Sequence, residues 1–205
     1  MRKNIVTARV EIIGTRPLWQ HQFGPDALPL EKQERTGVAG NDPEEWKRTC
    51  SVMPDGQLYI PGTYFFSMLR DAARHTKKGR GSIQPLVAAT LLVQEDRVLL
   101  NRFLPNHGSA PTTDSTQDVY IDVRGVRNPS TKARNVRYRL AVSPGWKCSF
   151  SIMWDKTLVS RDQMRAVVED AGRLVGLSNG RSIGYGRFDV VGFAEQNGAE
   201  ETSAS

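Results

Sequence analysis

"SRDQMRAVVEDAGRLVGLSNGRSIGYGRFDVVGF", residues 160–193, runs from a helix through a glycine-rich loop into a strand. Ser160 stands at an N-cap position, and Gln163 completes a capping box. Met164, Val167, Val168, Ala171 and Val175 recur at helical spacing as a buried stripe, and Gly176 stops the helix. "RFDVVGF" then has the composition of a strand. This order argues against a dinucleotide-binding fold. In a GxGxxG motif the loop leads into a helix N-terminus, whose dipole meets the phosphate. Here the loop follows a helix C-terminus, and no cofactor is expected. Gly176, Gly180, Gly184 and Gly186 instead allow backbone N–H groups to approach a sugar-phosphate chain closely. Arg181 and Arg187 supply charge, and Tyr185 is a candidate for stacking on a base. The same composition fits a solvated chain reversal, and the loop alone leaves both readings open.

Upstream elements follow from periodicity. "KNIVTARVEIIG" alternates Ile5, Thr7, Arg9 and Glu11 against Val6, Ala8, Val10 and Ile12, a strand pattern. Residues 14–57 read as a long irregular segment, too long for a mere connection and so functional or flexible, and its Leu18, Trp19, Phe23, Leu28, Leu30 and Trp46 imply that parts of it pack or bind. "QLYIPGTYFFSMLRDAARHTKKGRGS" reads as a short strand, a Pro-Gly turn and a helix capped by Thr63. Its apolar face is Phe65, Phe66, Leu69, Ala72 and Ala73, and the helix is expected to end near Gly79 and Gly81. "PLVAATLLV" and "RVLLNRFL" are expected as buried strands, followed by a polar spacer over 105–118. "VYIDV", "YRLAVS" and "WKCSFSIMW" complete the strands. The skeleton predicts an α+β fold: a ferredoxin-like (RRM-like) antiparallel sheet with two helices on one face and long loop or thumb insertions. One domain is expected over 1–194, with insertions at about 14–57 and 105–139 and a disordered acidic tail over 195–205.

Charge narrows the class of partner. The chain carries +6 at a pI of about 9.5, and setting aside the three glutamates of the tail raises the body to +9. Polyanions become the leading partners. Two cysteines, Cys50 and Cys148, make no disulfide framework, and they lack the paired spacing of a zinc site with His21, His75 and His107. No metal is expected. Residues 1–13 mix charge with alternating apolar positions, unlike a signal sequence, so a cytoplasmic protein without membrane contact is expected.

Three basic stretches carry the candidate chemistry. Besides the glycine loop, Arg70, Arg74 and Lys77 share a helical face that Lys78 and Arg80 extend, with Asp71 the only acid on it. Residues 124–139 hold Arg124, Arg127, Lys132, Arg134, Arg137 and Arg139 without one acid. Six unscreened cations repel one another, and a phosphate backbone relieves that repulsion. Pro129 and Ser130 suggest a protruding hairpin there. Both stretches also fit solvated surface charge. For catalysis the sequence is lean: Asp26 and Asp42 lie in the first long loop, where turn-forming roles compete with catalytic or metal-binding ones.

"LYIPGTYFFSMLRDAAR" is similar to a segment of the RAMP superfamily, the repeat-associated mysterious proteins of CRISPR systems. There a strand ends in Ile-Pro-Gly and enters a helix ending in Leu-Arg; Ile60, Pro61, Gly62, Leu69 and Arg70 match. "GLSNGRSIGYGRF" resembles that superfamily's terminal glycine-rich loop, with Gly180, Arg181, Gly184, Gly186, Arg187 and Phe188 in fitting places. "VEIIGTRPLW" resembles its first strand and exit. Departures are Thr63 where Ser is usual, and Phe65-Phe66-Ser67 where Leu-Lys-Gly is usual, which removes one basic position.

The resemblance implies an RNA-binding core. Backbone subunits of this kind line a guide RNA in many copies, beside other effector subunits of an antiviral ribonucleoprotein, and a thumb hairpin splays the guide–target duplex. Residues 124–139 or the first long loop are then the thumb candidates. Some such subunits cut RNA with an aspartate after the first strand; Asp26 is the closest positional counterpart, in surroundings that do not match. Small phage proteins share a similar Gly-x-Gly-Arg-Phe ending, so a phage-borne coat of single-stranded DNA or RNA is an alternative. So are a metal-dependent endoribonuclease of the same fold and a protein whose basic surface meets an acidic partner.

Overall fold

A computed structural model describes residues 4–22, 42–105, 111–127, 132 and 134–196. It is a mixed α/β structure of antiparallel sheets and four α-helices among the described residues. In chain order these are β1 (Ile5–Gly14), β2 (Leu18–Gln20), α1 (Glu45–Thr49), β3 (Gln57–Pro61), α2 (Gly62–Ala72), β4 (Lys77–Lys78) and β5 (Gly81–Ser82). Then follow α3 (Gln84–Thr90), β6 (Leu92–Val93), β7 (Arg97–Phe103), β8 (Val119–Arg127), β9 (Arg134–Val142), β10 (Lys147–Asp155), α4 (Arg161–Asp170) and β11 (Phe188–Gln196).

The main sheet has the order β11-β1-β10-β6, antiparallel throughout. The alternation in β1 sends Val6, Ala8, Val10 and Ile12 into the core while their neighbours stay partly or fully exposed. Phe150, Ile152 and Trp154 of β10 join the same buried cluster. So do Phe65, Met68 and Leu69 of α2 and Met164, Val167 and Val168 of α4, the expected stripe of the second helix. The Phe65 and Phe150 rings lie 4.5 Å apart, which ties α2 to the sheet. Ser160 accepts from the Gln163 N–H and Gln163 caps in return, so the capping box forms as read. After α4 the chain widens into a π turn over Ala171–Val175 and stops at Gly176.

Several elements depart from expectation. The apolar run 85–93 is not one strand: Gln84–Thr90 is a helix with a proline in its first turn, and only Leu92–Val93 pairs with β10. Short apolar runs do not separate helix from strand by period, and Pro85 with two alanines tips this one. Helix α2 starts at Gly62, without Thr63 as its cap, because β3 passes directly into it. The Gly62 N–H instead donates to the Asp96 carbonyl at 2.8 Å. A Cβ at Gly62 would fall 2.0 Å from the Glu95 carbonyl oxygen, so the Ile-Pro-Gly glycine is set by close backbone approach. Helix α2 ends at Ala72, which moves Lys77 and Lys78 off it into the small β4–β5 hairpin. The segment 14–57 contains β2 and α1 within its described part. At the other end β11 continues to Gln196, and Glu195, assigned above to the tail, pairs with Arg161 at 3.0 Å.

Candidate nucleic-acid interface

The second sheet, β2-β9-β8, places the basic hairpin. Its core-facing side is Leu18, Val119, Ile121, Leu140 and Val142, all within the main buried cluster. Register then fixes which cations share a face. Arg124 stands opposite Arg137, and Asp122 opposite Arg139, so these four project with Tyr120 and Ala141 away from the core. Arg127 and Arg134 stand opposite each other on alternate positions, which turns them to the reverse face. Arg124, Arg137 and Arg139 on one face and Arg127 and Arg134 on the other therefore do not form one surface, and Lys132 falls between β8 and β9 in sequence.

At the root of the hairpin the outward face is aromatic. Trp19 of β2 pairs with Ala141 and packs with Tyr120 and Ala141 in a small cluster of its own. Tyr185 of the glycine loop lies on Trp19, ring centroids 4.0 Å apart. The Arg124 and Arg139 guanidinium carbons sit 5.1 and 5.0 Å from the Trp19 ring centre, and Arg124 is also 5.2 Å from that of Tyr185. Arg124 is held further by Asp122, whose two oxygens accept from its Nε at 2.9 and 3.0 Å, and by donating to the Tyr185 hydroxyl. Arg139 has no ion pair among the described residues. Burial lowers its pKa, and Glu45 and Asp122 offset this only from beyond contact. Burial likewise pushes the Tyr120 phenol up to about 12, so it stays protonated. The sequence named Trp19 only among the apolar residues of a segment without period, not as a site residue; its adjacency to the "IG" exit of the first strand was the available signal.

The glycine loop reaches this cluster from one side. Ser178 donates to the Trp19 carbonyl at 2.6 Å, and Asn179 to the His21 carbonyl at 3.0 Å. Gly180 has φ of +76°, and a Cβ there would fall 2.7 Å from the Trp19 ring, so both conformation and space demand glycine. Tyr185, expected to stack on a base, stacks on Trp19 and carries Arg124. From its other side the loop reaches α2: Arg181 donates to Asp71 at 3.2 Å. Asp71 also binds Arg70 at 3.0 Å and Arg74 at 3.4 Å, so three of the expected binding cations converge on one carboxylate. Burial acts to raise the Asp71 pKa, but the Arg70 hydrogen bond and the charges of Arg70, Arg181 and Arg74 outweigh it and hold it below its ordinary value.

The remaining expected residues lie apart or are engaged. Arg137 donates to Glu45 at 2.6 Å; this buried carboxylate also accepts from the Tyr138 N–H and contacts His21. Arg187 sits at the β1 exit, where its carbonyl accepts from Thr15 and Arg16 and burial lowers its guanidinium pKa. Lys78 reaches the Leu158 carbonyl at 3.4 Å. Asp42 turns the chain into α1, accepting from the Glu44 N–H at 3.0 Å and from Arg48. Asp26 lies outside the described residues. Among the described residues there is no cluster of three metal-ligating side chains, and no helix is long and apolar enough to cross a membrane.

Comparison with known protein families and with curated proteins finds no match for this sequence. Among solved structures the fold does have a counterpart. It is similar to a chain in the cryo-EM structure of the Type III-B Cmr-beta bound to cognate target RNA, with a TM-score of 0.51 at 14% identity. The likeness is one of fold. It covers 94% of this chain and 61% of that one, so this protein spans less than two thirds of its counterpart's length.

Proposed function

We propose that this protein binds single-stranded nucleic acid as a repeated, guide-RNA-lining backbone subunit of a CRISPR-type ribonucleoprotein, on a ferredoxin-like core of the RAMP type. One observation carries the reading. At the root of a long β-hairpin, two arginines from facing strands lie on a buried aromatic pedestal, and one of them has no counter-ion in contact. A cation held in place with its charge unspent, as Arg139 is, suits a phosphate backbone, because part of the cost of ordering it is met before binding. The order β11-β1-β10-β6, with helices between its strands in sequence, supports the ferredoxin-like core. The fold likeness to a chain of an RNA-bound assembly supports the choice of ligand class. Copies lie side by side along the strand, and other effector subunits complete the particle.

The test starts with the purified protein. Its 260/280 nm absorbance ratio is expected to be raised by bound nucleic acid and to fall after nuclease treatment, and sequencing of what co-purifies is expected to return one repeated guide. Nonspecific strands would shift the reading to a coat of single-stranded nucleic acid. A nucleic-acid-free preparation that also ignores added single-stranded RNA and DNA overturns it.

A further inference from the structure

Between the β8–β9 hairpin and the glycine loop lies a cleft of ≈ 510 Å³. Arg124 and Arg139 line it together with Trp19, the end of β8 from Gly125 to Arg127 borders it, and no carboxylate among the described residues lines it. The neighbouring hollows differ in that respect: Asp71 lines the one under Arg181, and Asp122 the one beneath Tyr185. Arg139 adds a second sign, being half-buried on the Trp19 ring without an ion pair among the described residues.

We propose that this cleft is a subsite for one phosphate group, received by the Arg139 guanidinium, with Arg124 at its edge. The inference rests on the nucleic-acid reading above and deepens it: the ligand is a single backbone phosphodiester, taken at one defined place and not spread along the hairpin. Arg124 enters pre-set, since Asp122 and Tyr185 hold its Nε and Nη2, and its Nη1 has no hydrogen bond among the described residues. Trp19 is the pedestal that keeps both guanidinium planes in place, and Gly180 lets the loop close over it.

Fluorescence anisotropy with a labelled oligouridylate, measured across a salt series, tests this in wild type, Arg139→Gln, Arg139→Lys and Trp19→Phe. Arg139→Gln is expected to weaken binding about tenfold and to flatten the log–log salt slope by about 0.7, the share of one phosphate on a single strand. Arg139→Lys is expected to keep the slope while losing part of the affinity. Trp19→Phe keeps an aromatic seat beneath the guanidinium groups, so it leaves the slope unchanged and lowers affinity less than Arg139→Gln does. Thermal melting of each variant confirms that it is folded. Unchanged affinity and slope in Arg139→Gln, with wild type binding RNA, overturns the subsite alone. Wild type that ignores RNA but binds inorganic phosphate or uridine monophosphate, with loss in Arg139→Gln, keeps the phosphate site and overturns the nucleic-acid reading. Binding of neither overturns both.

Discussion

The glycine loop touches two groups of arginines, and they are held in opposite ways. On its α2 side Arg70, Arg74 and Arg181 gather round the Asp71 carboxylate. On its hairpin side Arg124 and Arg139 lie over the Trp19 ring, and only Arg124 has an acid in contact. A carboxylate neutralises charge as it orders it, whereas an aromatic face orders a guanidinium and leaves its charge for a ligand. The first group thus fastens the loop to α2, and the second is the one suited to an outside anion.

Breaking the second group should have the largest consequence. Arg124→Glu together with Arg139→Glu is expected to lower affinity for single-stranded RNA by roughly 100-fold at moderate salt, because two contacts become repulsions. Filter binding reads this directly. Gly180→Ala tests the link between loop and pedestal: the strained φ and the clash with Trp19 are expected to cost about 2 kcal/mol in chemical denaturation. Its RNA affinity should fall as the arginines lose their seat. Asp71→Asn attacks the other group. Its partners have side chains 35–56% exposed, so the expected loss is only about 1 kcal/mol, with RNA affinity kept or slightly raised by the added net charge.

The smallest effect is in the acid limb of stability. Asp71 is held below its ordinary pKa of 3.8, so its contribution is complete above that pH and is lost as pH falls through the lowered folded value. Asp71→Asn should therefore differ from wild type at neutral pH and converge with it under acid unfolding. A constant gap down to the most acidic conditions would show that the carboxylate's charge is not what fastens the loop.

How much of this was legible depends on range. The strand Ile5–Gly14 and the capped helix from Arg161 were readable because alternation, helical spacing and a capping box act within a few residues. The run 85–93 was misread because nine apolar-rich residues have no distinguishing period. Among the candidate site residues, Arg124, Arg139 and Tyr185 were named through composition and motif. The division of the hairpin cations between two faces was not, since it depends on the strand register Arg124↔Arg137, which residue types alone do not reveal. Asp71 was visible as the lone acid among bases, but Arg181 meets it only through a contact spanning 110 residues. The role of Trp19 was not legible for the same reason: it arises from partners at 124, 139 and 185.

The contrast itself can be measured in one experiment. Arg139→Gln and Arg181→Gln each remove one positive charge near the same loop, so global electrostatics treats them alike. The salt dependence of single-stranded RNA binding is expected to flatten by about 0.7 in Arg139→Gln and to stay at the wild-type slope in Arg181→Gln. Equal slopes in the two variants, or the larger change in Arg181→Gln, would contradict the account.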